Sequence, residues 1–261
     1  MNMTYNKGSL LDDFDVLDQR INKNAILDWI KTNFIICEGL SISDKPNKDG
    51  LYEANAEYLR LNLSSKSLTN DMFVWKNVVE DFNCRYCGSL TSLKGAPKKV
   101  GRNFYCNGCD SLKTLEGAPK EVDGDFNCCD CSSLKTLKGV PEKINGSFYC
   151  SYCISLTSLK GAPKKVGGDF SCSDCSSLKT LEGAPKEVCG NFDCYYCISL
   201  TSLKGAPEKV GGEFSCSNCG SLKTLEGAPK EVGGCFDCCS CNSLTSHKLP
   251  STTKIKSEII R

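Results

Sequence analysis

A repeat of 22 residues without insertions dictates what this chain can fold into. From Phe82 the pattern F-x-C-x-x-C-x-S-L-x-[ST]-L-x-G-[AV]-P-x-x-[VI] recurs, with its Phe at positions 82, 104, 126, 148, 170, 192, 214 and 236. A strict period of this length is the signature of a solenoid, because one such unit cannot bury its apolar face alone and stacked copies share a continuous core. The eighth copy degrades through His247 and Leu249 to Pro250. A second period of 44 residues lies on top, alternating TSLKGAP with KTLEGAP, and a duplicated two-coil unit accounts for it.

Each copy reads as one coil. F-x-C alternates at period two, so the Phe and the first Cys share the inner face of a short strand. The second Cys, the two Leu, Ala-Pro and Val supply the other inward positions. Gly before Ala-Pro, and the Gly pairs common after Val, suit tight bends, and Pro suits a return segment that donates no ladder hydrogen bond.

On these residues the chain resembles leucine-rich repeats, with F-x-C in the place of L-x-L and the second Cys in the place of the usual Asn. Cys175-Ser176-Ser177-Leu178 followed by Lys179-Thr180-Leu181 resembles the C-x-x-L form of BspA-like surface repeats, and the GAPKEVGG return is similar to short bacterial and phage repeats. The resemblance covers about residues 61–250. It implies a parallel sheet on one face, short turns, irregular return segments and a protein-binding role. The amino terminus, MNMTYNKGSLLDDFDVLDQR, lacks the basic start and apolar core of a secretory leader, a departure from BspA-like proteins. It implies a cytoplasmic location.

Residues 1–60 differ in kind and are expected to form a small α+β amino-terminal cap over the solenoid of residues 61–250. Ala25, Ile26, Trp29, Ile30 and Phe34 follow helical spacing, with Asn24 as a cap. Leu51 to Leu63, with its alternating YLRLNL, reads as strand, and Leu61, Leu63 and Leu68 as a degenerate first coil. Residues 251–261 form a carboxyl-terminal tail that could add one strand or a short helix. An end without comparable cover favours end-to-end self-association, since open strand edges pair.

The 21 cysteines are the main chemical signal. Sixteen form eight C-x-x-C pairs, from Cys84/Cys87 to Cys238/Cys241, with 18 residues between successive pairs, a spacing that matches a four-thiolate zinc site. The same spacing follows from stacking alone, and a reduced Cys packs as a small hydrophobe. A buried thiol ladder and a zinc-binding structural protein are therefore the two readings, with the ladder favoured and no cofactor or metal ligand assigned. Redox use lacks the strand-to-helix setting that lowers a thiol pKa. Outside the pairs lie Cys37, Cys129, Cys189, Cys235 and Cys239, of which Cys129 and Cys239 fall at outward strand positions and are expected to be the exposed thiols.

Variation among the copies points to a contact surface. Three positions vary freely: the residue after Phe and the two between the cysteines. They carry Tyr86, Tyr105, Tyr149, Tyr152, Tyr195 and Tyr196, six of the nine tyrosines, among Ser, Asn, Asp and Gly. That mixture resembles a paratope, in which Tyr gives rigid amphipathic contact and small polar residues adapt. Free drift of surface strand positions is the alternative. The expected partner is a protein. Lys+Arg 32 against Asp+Glu 31 gives no general pull toward nucleic acid, and no apolar run is long enough to span a membrane. Catalysis is not expected: His247 is the single histidine, and no phosphate loop or H-E-x-x-H motif occurs.

Overall fold

The computed structural model describes residues 23–62 and 64–260. Residues 1–22 of the expected cap, Leu63 of the expected first coil and Arg261 lie outside the described residues. The chain is a repeat solenoid with parallel sheets on two flanks, as the period requires. One flank is an 11-stranded sheet built from the two-residue strands Phe82–Asn83 to Phe236–Asp237, with cap strands added at one end and Ile259–Ile260 at the other. Pairing is parallel and in strict register, Phe over Phe, as in Phe148↔Phe170 and Phe170↔Phe192. The opposite flank holds the K/E-V strands in two consecutive sheets. Lys99–Val100 and Glu121–Val122 join three amino-terminal strands in a five-stranded sheet, and the strands from Lys143–Ile144 to Lys254–Ile255 form a six-stranded one.

The core is one column per inward position. Phe, both cysteines, both leucines, Pro and Val or Ile of the first seven copies are buried, whereas in the eighth only Phe236, Cys238 and Cys241 are. Successive Phe rings stack 4.9 to 5.5 Å apart. The Gly before Ala-Pro is required twice over. Gly183 has φ +92°, and an added Cβ would lie 2.6 Å from the Lys160 backbone of the coil below.

Copies are also tied by polar ladders that the repeat pattern does not display. In the first six copies the side chain of the residue before the Phe accepts the backbone N–H of its equivalent one coil on: Asn103 from Asp125 at 2.8 Å, Asp125 from Ser147 at 2.7 Å, Asp169 from Asn191 at 2.7 Å. On the return flank Lys and Glu alternate from coil to coil and pair across it, except where Lys143 lies beside Lys165. Lys165–Glu187 is 3.0 Å, Lys160–Glu182 3.2 Å and Lys204–Glu226 3.2 Å.

At the amino end, residues 23–33 are helical, followed by β1 (Phe34–Glu38), β2 (Ser41–Ile42), β3 (Tyr52–Ala56), β4 (Tyr58–Leu61) and β5 (Phe73–Val78). Ile26, Ile30 and Phe34 enter the same core as Phe82, and Phe34 meets Trp75 edge-on at 5.5 Å and Phe82 at 6.4 Å. β1 pairs antiparallel with β4, so the stack is closed here by a strand of opposite direction. Several local expectations change. Asn24 lies inside the helix and does not cap it, Ala25 is exposed, and Phe34 opens β1. The expected strand through YLRLNL is two strands broken at Glu57, and β4 already belongs to the solenoid sheet through Leu59↔Phe82. At the other end the expected tail continues both flanks: Lys254–Ile255 pairs with Glu231–Val232, and Ile259–Ile260 with Phe236–Asp237.

Candidate functional site

The paired cysteines stack into two columns that run the length of the regular coils. In seven successive coils the second Cys donates its thiol to the carbonyl of the first Cys of the coil before. Cys109 reaches Cys84 at 3.0 Å, Cys153 reaches Cys128 at 3.2 Å and Cys175 reaches Cys150 at 3.2 Å. The column ends with Cys241 on Cys216 at 3.1 Å. A thiolate could not make these bonds. Burial holds Cys84, Cys106, Cys128 and Cys150 above the ordinary thiol range. The hydrogen bond from the adjoining coil's thiol adds to the shift at Cys106, Cys128 and Cys150 and opposes it at Cys84, and at Cys172 and Cys194 it leads the shift. The sulfurs thus act as inter-coil hydrogen-bond donors in the position where the resemblance places Asn. Among the described residues no three His, Cys, Asp or Glu side chains are placed to hold one metal ion, and no two cysteines are joined in a disulfide.

Outside the columns the exposed thiol is Cys189; Cys129 and Cys239 are only half-exposed. Cys129 is pushed up to about 12, chiefly by burial. Local geometry sets this order of exposure, against the outward positions that strand alternation gives Cys129 and Cys239. Cys189 follows the return-strand Val at a solvated bend, whereas the residue after the first Cys is crowded by its neighbours on the sheet. Asn107, Ser173 and Ser217 at that position are nearly buried. Ser173 donates to Asp193 Oδ2 at 2.6 Å, and Arg85 Nε donates to Asn107 at 2.9 Å.

The six tyrosines fall into two groups. In the first two coils the Arg85 guanidinium lies 3.7 Å over the half-buried Tyr105 ring, and the exposed Tyr86 ring covers Gly108. The third coil carries no aromatic residue at the variable positions. In the fourth to sixth coils Tyr152, Tyr195 and Tyr196 are exposed, with the Tyr195 and Tyr196 rings 5.8 Å apart, while Tyr149 is half-buried in its strand. Tyr152 leans on Asp174 of the next coil, whose carboxylate holds the Tyr152 hydroxyl above its ordinary range. Beside Tyr195 a shallow groove of about 440 Å³ is walled by Asp193, Glu213, Ser215, Ser217 and Asp237.

Backbone geometry separates the three variable positions. The residue before the second Cys is left-handed in every coil: Tyr86 (φ 58°), Gly108, Asp130, Tyr152 (φ 60°), Asp174, Tyr196 (φ 55°), Asn218 and Ser240. Gly, Asn and Asp suit this conformation, and a bulky Tyr strains it.

Two further surface residues belong with this group and fall outside the three variable positions read from the sequence. Ile154 and Ile198 follow the second Cys in the fourth and sixth coils and are 50% and 43% exposed, beside Tyr152 at 53% and Tyr196 at 47%. The 44-residue period carries them, since Tyr-Cys-Ile occurs at both places while the fifth and seventh coils read Asp-Cys-Ser and Asn-Cys-Gly.

No protein-family model matches the chain, and no curated protein matches it. Among solved structures it is similar to a leucine-rich repeat protein from Bacteroides ovatus. The identity is 16%, the match covers 86% of this chain and 78% of that one, and the TM-score is 0.26. No helix among the described residues is long and apolar enough to cross a membrane.

Proposed function

We propose that this leucine-rich-repeat-like solenoid is a non-enzymatic interaction module that grips a partner protein through the face bearing Tyr86, Tyr105, Tyr149, Tyr152, Tyr195 and Tyr196. The observation that carries the reading is the presence of Tyr86, Tyr152 and Tyr196 at a left-handed backbone position. Drift at that position drains toward Gly, Asn and Asp, as the other coils illustrate. A left-handed non-glycine residue costs about 1–2 kcal/mol, and an exposed ring recovers little of that by burial. Two of these rings, Tyr152 and Tyr196, with Tyr195, Ile154 and Ile198 beside them, make a surface suited to contact: exposed aromatics are the anchors of protein interfaces. The cysteines need no second role, since their thiols are spent on inter-coil hydrogen bonds.

The chain supplies its own template for a test that spares the fold. Replacing Tyr149, Tyr152, Tyr195 and Tyr196 by Ser installs the residue already present at Ser171, Ser240, Ser173 and Ser240 respectively. Wild-type protein and this variant are used to capture partners from a lysate of the source organism, and the captured protein is identified and recombined in purified form. Binding by wild type with loss of at least about tenfold in the variant is expected. Equal binding by both would show the face to be ordinary surface.

A further inference from the structure

The exposed apolar residues on this face are spaced by the coils, and that spacing restricts what can dock there. Successive Phe rings in the fourth to sixth coils lie 5.3 and 5.1 Å apart, so equivalent residues two coils apart are separated by about 10 Å. Tyr152 with Ile154, and Tyr196 with Ile198, therefore form two identical apolar pairs about 10 Å apart along the solenoid axis, with Asp174 between them. An extended strand presents one face every second residue, at about 6.7 or 13 Å, and misses both pairs at once. An α-helix presents the same face at i and i+7, about 10.5 Å, and advances about 5.4 Å per turn. One helical turn thus keeps step with one coil.

Charge restricts the partner further. At the three variable positions of the third to eighth coils there are four Asp (130, 174, 193 and 237) and no Lys or Arg, in a chain whose net charge is +1. The left-handed column alternates in sign and character along the axis: Asp130, Tyr152, Asp174, Tyr196.

We infer that the occupant is a basic amphipathic α-helix of the partner protein, lying along the solenoid axis with apolar residues seven apart on the two Tyr/Ile pairs and a Lys or Arg in the turn between them facing Asp174. The inference rests on the protein-binding reading of this face and names the shape and charge of its partner.

The test uses the full chain and two displayed peptide libraries. One is a set of alanine-based helical peptides of about 18 residues, long enough to hold a helix, randomised along one face. The other has the same composition broken by two prolines. Selected peptides from the helical library are expected to carry apolar residues at i and i+7 with Lys or Arg at i+3 or i+4. A synthetic representative should lose at least about tenfold on the Tyr152→Ser/Tyr196→Ser protein and roughly threefold on Asp174→Asn. The chain already has Asn218 and Ser240 at these backbone positions, so both variants keep the coil. Helical peptides without the seven-residue spacing, or bound equally by the tyrosine variant, overturn the inference. Tyrosine-dependent binding found only in the proline-broken library overturns the helix and leaves the binding face standing. Absence of tyrosine-dependent binding in either library overturns the inference and counts against the face as well.

Discussion

At the residue scale, a single backbone conformation divides architecture from use. The position before the second Cys is left-handed in all eight coils, and its occupants are Gly, Asn, Asp and Ser in five of them and Tyr in three. Replacing Tyr152 by Asn should therefore raise stability by about 0.5–1 kcal/mol while weakening partner binding, with chemical denaturation and a binding assay read on the same sample. A loss of stability would mean that the Tyr152 ring is held by the fold. The inward residues of each coil were legible in the sequence because F-x-C fixes the phase of the strand and every later apolar position repeats with it. Exposure outside that phase was not legible. Strand alternation marks Cys129 as outward, yet crowding half-covers it, while Cys189 stands at a bend that alternation does not reach. Maleimide added to native protein should label Cys189 first and leave the ladder cysteines unreacted until unfolding, as peptide mass spectrometry would read. Rapid labelling of Cys150 or Cys175 would contradict their burial.

At the scale of the coil, the 44-residue period acquires a physical reason. Parallel strands in strict register stack each residue on its own equivalent, so 22-residue copies that were identical would set like charges about 5 Å apart down every surface column. Alternating Lys with Glu turns those columns into ladders such as Lys165–Glu187 and Lys209–Glu231. Duplication of a two-coil unit keeps the alternation, and the same period carries Tyr-Cys-Ile to alternate coils. The period itself is visible in the sequence, whereas its charge logic appears only once the copies are known to stack in register. Glu187→Lys would place four consecutive lysines, 143, 165, 187 and 209, in one column. Its melting temperature should fall at low salt and approach that of wild type at about 1 M salt, where charges beyond a few ångströms are screened. A salt-independent loss would point to damage of the strand and not to charge.

At the scale of the whole molecule, the thiols link stability to pH. A solenoid is a sum of coils and coil–coil interfaces, and here every interface in the regular stack carries a thiol donor bound to a carbonyl of the neighbouring coil. Eleven of the sixteen ladder thiols are held above their ordinary range, with burial or the neighbouring thiol as the leading cause in most of them. Cys241, in the last regular coil, is drawn the other way, by its hydrogen bond with Cys216. The sign of the linkage follows from proton counts. Above the ordinary thiol pKa of about 8.5 the unfolded chain releases protons that the folded chain retains, so stability is full below that pH and falls as pH rises. Each such thiol contributes a slope of about 1.36 kcal/mol per pH unit, and many acting together make the decline steep. Melting temperatures of reduced protein should therefore be nearly level from pH 6 to about 8.5 and collapse over the next one to two units. Two outcomes would count against the ladder as the cause. A profile level to pH 10.5 would mean that the sulfurs ionise in place, and a decline beginning near neutrality would have to come from other groups. Because the loss is spread over every interface, removing one thiol, as in Cys150→Ala, should lower the whole curve but shift the onset of the alkaline decline little. A zinc-held stack would behave in the opposite sense, since rising pH deprotonates thiols and strengthens metal binding. Elemental analysis of the reduced protein beside the pH profile then separates the two accounts: the thiol ladder requires alkaline collapse without stoichiometric zinc.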